Sequence, residues 1–116
     1  MQLAYIDHGD VRVYFPEGRL DHSQSLVVEN KLNSAINEGI SKLIFDLSKL
    51  DYLSSSGLRV FISLIKQVHE KKGRIVFCSL SPSVANLIEM VALQNDLEIF
   101  PTLFEALLSF EPEREK

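Results

Sequence analysis

Between Leu43 and Val68 the hydrophobic period of the chain changes once, and the change falls on three consecutive serines. Leu43 to Leu47 reads as a short apolar strand, and Asp46, Ser48 and Asp51 behind it are residues that favour turns. From Leu58 the spacing is helical. Leu58, Phe61, Ile65 and Val68 fall on one stripe, while Arg59, Ser63, Lys66, Gln67 and Glu70 lie mostly elsewhere. A strand that enters an amphipathic helix through a polar turn is an α/β unit, and it places Ser54, Ser55 and Ser56 where the helix begins. A serine oxygen there can accept a bond from an unpaired amide of the first turn. Those amides and the helix dipole give the position a partial positive charge, which suits a phosphate. On the residues alone, one cap and two turn residues account for the three serines.

The rest of the chain supplies partners for that unit. Leu3 to Asp7 and Val11 to Phe15 are β-branched and aromatic runs separated by His8-Gly9-Asp10, which predicts an N-terminal hairpin closed by Pro16 and Gly18. Asp21, His22 or Ser23 can cap a helix carrying Val28, Leu32, Ala35 and Ile36, and Gly39 stops it. Lys42 to Leu47 is the next strand; Gly73 ends the serine helix, and Arg74 to Ser79 is a strand again. Ser81-Pro82 starts a helix with Val84, Leu87, Ile88 and Val91 on its buried side. Leu97 to Phe100 is a last short strand, and Pro101 or Thr102 begins a helix with Leu103, Phe104, Leu107 and Leu108 as its apolar set. The expected architecture is α/β, with residues 1–110 as one domain: a mixed sheet of four to five strands covered by about four helices in a single layer, and a charged tail over 111–116.

Composition narrows the function more than it names it. The chain has 116 residues, enough for one core, and 12 basic against 16 acidic residues give a net charge of −4. No basic cluster follows a phosphate backbone, so direct nucleic-acid binding is not expected. No apolar run approaches the ~20 residues that span a bilayer, and Met1-Gln-Leu-Ala-Tyr5 lacks the form of a signal peptide, so a cytoplasmic protein without membrane insertion is expected. Cys78 is the only cysteine and reads as a buried strand thiol. An enzyme needs a nucleophile beside a base, or a metal with several ligands. His8, His22 and His69 are scattered, and His69 lies about 20 Å along the helix from Ser55. No phosphate-cradling loop, nucleophile elbow or cofactor motif is present, so neither catalysis nor a cofactor is expected.

Asp46-Leu-Ser48 together with Leu53-Ser-Ser-Ser-Gly-Leu-Arg-Val60 resembles the signature of bacterial STAS-domain proteins of the anti-sigma factor antagonist type. Aligned on Gly57 and Leu58, the phosphorylated serine of that family falls on Ser55 and the residue after it on Ser56. Ser54 stands where the family has an acidic residue. Gly18-Arg-Leu-Asp21 also resembles the family's G-x-L-D turn between the second strand and the first helix, so the similarity runs along almost the whole chain.

The resemblance implies a phosphorylation-switched binding protein rather than an enzyme. Its partners would be an anti-sigma factor with serine kinase activity, which the unphosphorylated form sequesters so that a sigma factor is released, and a phosphoserine phosphatase that resets the switch. The binding face would comprise Ser54, Ser55, Ser56, Gly57, Leu58 and Arg59, the exposed side of the following helix, and Asp21 to Ser23. Asp21 and Asp46 would line the same rim, with Arg59 either meeting the phosphate or an acidic partner, or solvated. Monomer and weak dimer both remain open. Two other readings stand beside this one: a STAS subunit of another signalling or membrane transport complex, and a small-ligand or nucleotide-binding module using the helix N-terminus.

Overall fold

Two residues, Gly9 and Asp10, suffice to turn the chain back on itself, Gly9 adopting φ +66°. In the computed structural model, which describes residues 1–90 and 97–111, strand β1 (Gln2–His8) pairs antiparallel with β2 (Val11–Leu20), from His8 opposite Val11 to Gln2 opposite Glu17. The hairpin is as expected, but β2 does not end at Pro16 and Gly18. It runs on because it has two parallel partners in succession: β3 (Lys42–Asp46) beside Arg12 to Tyr14, and β4 (Leu50–Leu53) beside Gly18 to Leu20. Pro16, with no amide to donate, falls in the gap between them. Gly18 takes φ +104°, and the register shifts between it and Arg19 as β2 changes partner. The Gly18-Arg-Leu segment is therefore strand rather than turn. Strand β4, absent from the sequence reading, brings the described strands to six.

Helix α1 spans His22–Asn37, α2 Ser55–Glu70, α3 Pro82–Met90 and α4 Leu103–Leu108; β5 is Arg74–Cys78 and β6 is Glu98–Phe100. The strands lie in the order β1-β2-β3-β5-β6, with β4 beside the far end of β2, and every pairing except β1 with β2 is parallel. Period-2 alternation divides the core. Tyr14, Leu43, Phe45, Ile75 and Phe77 face a layer of α1, α2 and α3, whereas Val11, Val13, Ile44, Val76 and Cys78 face Ala106 of α4. Helices thus cover both faces, which corrects the expectation of a single layer. Strands β3 and β5 are apolar on both sides, as a sheet covered on both faces requires.

Three aromatic rings in register fix α2 to the sheet. Tyr14, Phe45 and Phe77 stand side by side on β2, β3 and β5, with centroids 5.4 and 5.6 Å apart, and Phe61 of α2 packs 5.1 Å from both phenylalanines. Such pairs contribute about 0.5–1.5 kcal/mol each beyond the burial of their area. On α2, Leu64 rather than Ile65 joins Leu58, Phe61 and Val68 in the fully buried stripe.

The remaining helices follow their expected ends. Asp21 caps α1, which stops before Gly39 at φ +114°, and the Ser81 hydroxyl accepts the Val84 amide at 3.3 Å to open α3. Thr102 caps α4, whose buried residue is Ala106; Phe104 and Leu108, expected in its apolar set, face outward because six residues turn only one narrow face to the sheet. Val91 and residues 112–116 of the tail lie outside the described residues. Cys78 is fully buried, and burial pushes its thiol up to about 11, with a further push from the Asp46 carboxylate against the Ser79 hydroxyl, so it stays a thiol at neutral pH.

Candidate functional site

Parallel strands deliver the starts of their following helices to one rim. Here Leu20 of β2 is paired with Leu53 of β4, so the residues that come next, Asp21-His22 at the start of α1 and Ser54-Ser55-Ser56 at the start of α2, lie side by side. The rim at the C-terminal strand ends is the usual place for a site in an open α/β sheet.

The three serines differ in what holds them. Ser54 is the N-cap of α2: its Oγ accepts from the Gly57 amide at 3.1 Å and donates to the Leu20 carbonyl at 3.2 Å. Aspartate and serine are both favoured N-caps, so the serine standing in the acidic position keeps the acceptor that the helix start needs. Ser55 is exposed and its hydroxyl has no hydrogen-bond partner among the described residues. Ser56 is half-buried, and its Oγ lies 3.0 Å from Nδ1 of His22.

Gly57 and Leu58 hold this turn from inside. A Cβ on Gly57 would sit 2.8 Å from Leu20 Cγ and from Leu53 Cδ1 and 2.9 Å from the Leu20 carbonyl oxygen, so only glycine lets α2 approach β2 and β4 this closely. Leu58 is 2% exposed and belongs to the core. Both were grouped with the binding face; the structure places both inside, where they position the exposed residues of the turn.

Asp21, directly after β2, and Asp46, the last residue of β3, stand on this rim with different roles. Asp21 Oδ1 accepts from the Gln24 amide at 3.2 Å and from the Ser23 hydroxyl at 2.8 Å. Its carboxyl is held below the ordinary value, chiefly by that hydroxyl, with lesser help from the Gln24 amide and the charge of Arg19. It therefore offers a carboxylate beside the serine turn. Asp46 is 6% exposed and its Oδ1 is taken by the Ser48 amide at 2.9 Å, so it shapes its own turn and presents little to solvent.

Two clefts open from the serine turn. Ser55 lines a small one, about 240 Å³, with Tyr52 of β4 and Ser83 of α3. Arg19 lies 4.2 Å over the ring of Tyr52 and adds a cation to that border. Ser56 lines a larger groove between α1 and α2, about 830 Å³, with His22, Leu26, Arg59, Ile62 and Lys66 among its walls. Leu26 is 65% exposed there. Arg59 is exposed one helical turn beyond Ser55, and among the described residues it makes no ion pair. Arg19 is a site residue that sequence reasoning missed, and His22, inside the expected Asp21 to Ser23 face, was not read as touching Ser56. The signal for both was the pairing of β2 with β4, and β4 went unread.

The cap yields a prediction. Ser54→Ala should cost about 0.5–2 kcal/mol, because it strands the Gly57 amide at a half-buried helix start. Ser54→Asp should cost less, since it restores the acceptor. Urea denaturation of the two variants checks this, and equal losses would show that the cap is not what Ser54 provides.

A family model described as the STAS domain matches residues 2–106. The anti-sigma-B factor antagonist of Listeria monocytogenes is 31% identical over 94 residues, 80% of this chain and 79% of that protein. The anti-sigma F factor antagonist of Paenibacillus polymyxa is 28% identical over 112 residues, 96% of each chain. Among solved structures, the anti-sigma factor antagonist SpoIIAA matches in its unphosphorylated form (17% identity, 93% of this chain and 96% of that one) and the Bacillus SpoIIAA in its phosphorylated form (20%, 95% and 100%), each with a TM-score of 0.73. With the family model spanning nearly its whole length and a relative above 30% identity over most of both sequences, the chain belongs to the STAS-domain family of anti-sigma factor antagonists.

Proposed function

We propose that this protein sequesters an anti-sigma factor through the rim formed by the starts of α1 and α2, and that phosphorylation of Ser55 by the same anti-sigma factor, acting as a serine kinase, releases it. A phosphoserine phosphatase would restore the binding form. The protein is then a substrate and a switch in the cytoplasm, with no chemistry of its own. The observation that carries the reading is the state of the Ser55 hydroxyl: exposed, unpartnered among the described residues, and at the first position of a 16-residue helix.

The physical logic runs through charge. A phosphoserine adds about −1.5 to −2 charges and three acceptor oxygens. At a helix N-terminus those oxygens meet free amides and the positive end of the dipole, so the domain tolerates them. A partner seated on the rim instead has to desolvate a hydrated anion or is repelled by it. The existence of a phosphorylated form of SpoIIAA, a neighbour in fold, supports the same reading.

Incubation with the anti-sigma factor kinase and ATP is expected to place one phosphate on Ser55, read by mass spectrometry of the peptide containing Ser54, Ser55 and Ser56. Phosphate confined to Ser54 or Ser56 would contradict the assignment.

A further inference from the structure

His22, the first residue of α1, holds the hydroxyl next to the acceptor. Its Nδ1 lies 3.0 Å from Ser56 Oγ, across the seam where α1 and α2 begin. Ser54 Oγ is fully used, as acceptor for the Gly57 amide and donor to the Leu20 carbonyl. Ser55 Oγ is unpartnered among the described residues. Ser55 and Ser56 are about 100° apart around the helix axis, and they open onto different clefts: Ser55 beside Tyr52 and Ser83, Ser56 in the groove with His22 and Arg59.

We infer that His22 is a positioning residue that selects the site of phosphoryl transfer: by binding Ser56 Oγ it withholds that hydroxyl and leaves Ser55 as the one presented. The inference rests on the reading of Ser55 as phosphoacceptor. In the transfer a bond forms between serine Oγ and the γ-phosphorus of ATP while the bond from that phosphorus to the β,γ-bridging oxygen breaks. ADP leaves, and the hydroxyl proton passes to a base of the kinase. Ser56 must give up the imidazole and turn out of its groove before its oxygen can meet the phosphorus in line; Ser55 gives up nothing.

The hold does not depend on the charge of the ring. A neutral imidazole with its proton on Nε2 accepts the Ser56 proton at Nδ1, and a protonated one donates from Nδ1 to the serine oxygen. Glu29, Arg59 and Lys66 are the charged side chains that line the same groove.

The test maps phosphate on the unaltered chain, His22→Ala and His22→Asn after reaction with the anti-sigma factor kinase and ATP, at about pH 6 and pH 8. The unaltered chain should carry phosphate on Ser55 at both values. His22→Ala should raise the share on Ser56 about 2- to 13-fold, the range that one net hydrogen bond corresponds to. His22→Asn, whose amide can occupy the place of Nδ1, should return the share toward that of the unaltered chain. A general loss of fold at α1 would lower phosphorylation of both serines and would not be rescued in this way. Phosphate that stays on Ser55 alone in His22→Ala overturns the inference and leaves the Ser55 reading standing. Phosphate on Ser56 of the unaltered chain, rising with pH and lost in His22→Ala, would make the imidazole a base for Ser56 and overturn both. Absence of phosphate from all three serines of the unaltered chain would likewise overturn both.

Discussion

Alanine at Gly57 is expected to destabilise the domain by about 1–3 kcal/mol and to weaken anti-sigma factor binding with it. Helix propensity alone favours alanine over glycine by about 1 kcal/mol, so the sign depends on space. The new Cβ would lie under 3.0 Å from three atoms: Leu20 Cγ, Leu53 Cδ1 and the Leu20 carbonyl oxygen. Both leucines are buried, and the carbonyl already accepts the Ser54 amide and hydroxyl, so none of the three can withdraw freely. Relief requires the start of α2 to lift, which breaks the Ser54 cap and moves Ser55 off the rim. Gly73→Ala is the matched comparison at the other end of α2, where a Cβ would drive into the Ser41 carbonyl and the Val68 side chain. It should cost at least as much stability without acting on the serine turn directly. Denaturant titration measures both, and a gain of about 1 kcal/mol at Gly57 would mean that the packing of α2 on β2 and β4 is looser than described.

The second large effect is expected on binding. Ser55→Asp should weaken capture of the anti-sigma factor by on the order of 2 kcal/mol, roughly 30-fold, because it fixes an anion where the contact must desolvate. Ser55→Ala should bind nearly as the unaltered chain does and should resist release by the kinase, since it removes the acceptor and leaves the surface neutral. Aspartate carries about half to two thirds of the extra charge of a phosphoserine, so its effect is a lower bound on that of phosphorylation. Calorimetric titration of the two variants against the same anti-sigma factor decides the matter: equal affinities would remove the electrostatic switch from this residue.

Much of this was readable from residue order, and the misses share a cause. The hairpin, the starts of α1 and α3 and the serine helix follow from period and caps, which are local properties: Asp21, Ser81 and Gly39 act within a few residues of where they stand. Strand β4 has four residues, the pattern Leu-Asp-Tyr-Leu buries only the two ends, and its one strand partner among the described residues is the end of β2, more than thirty residues earlier. Nothing local marks such a segment as a strand. With β4 unread, Gly18 to Leu20 looked like a turn, and the approach of His22 to Ser56 had no basis. The same limit hid the second helix layer, since only the tertiary position of Ala106 shows that α4 crosses to the other face. In the site, the places of Asp21 and Ser55 at the starts of α1 and α2 were legible by position, whereas the inward roles of Gly57 and Leu58 appear only once β2 and β4 are seen behind them.

The central claim is that phosphate on Ser55 alters a surface and leaves the fold alone. Amide NMR spectra of the unphosphorylated and Ser55-phosphorylated chain, with their thermal midpoints and their affinities for the anti-sigma factor, test it most directly. Shifts confined to the starts of α1, α2 and α3, a midpoint unchanged or slightly raised, and a loss of affinity at least as large as that of Ser55→Asp are expected. Shifts spread through β3 and β5, or a large fall in the midpoint, would contradict it and make the switch one of refolding.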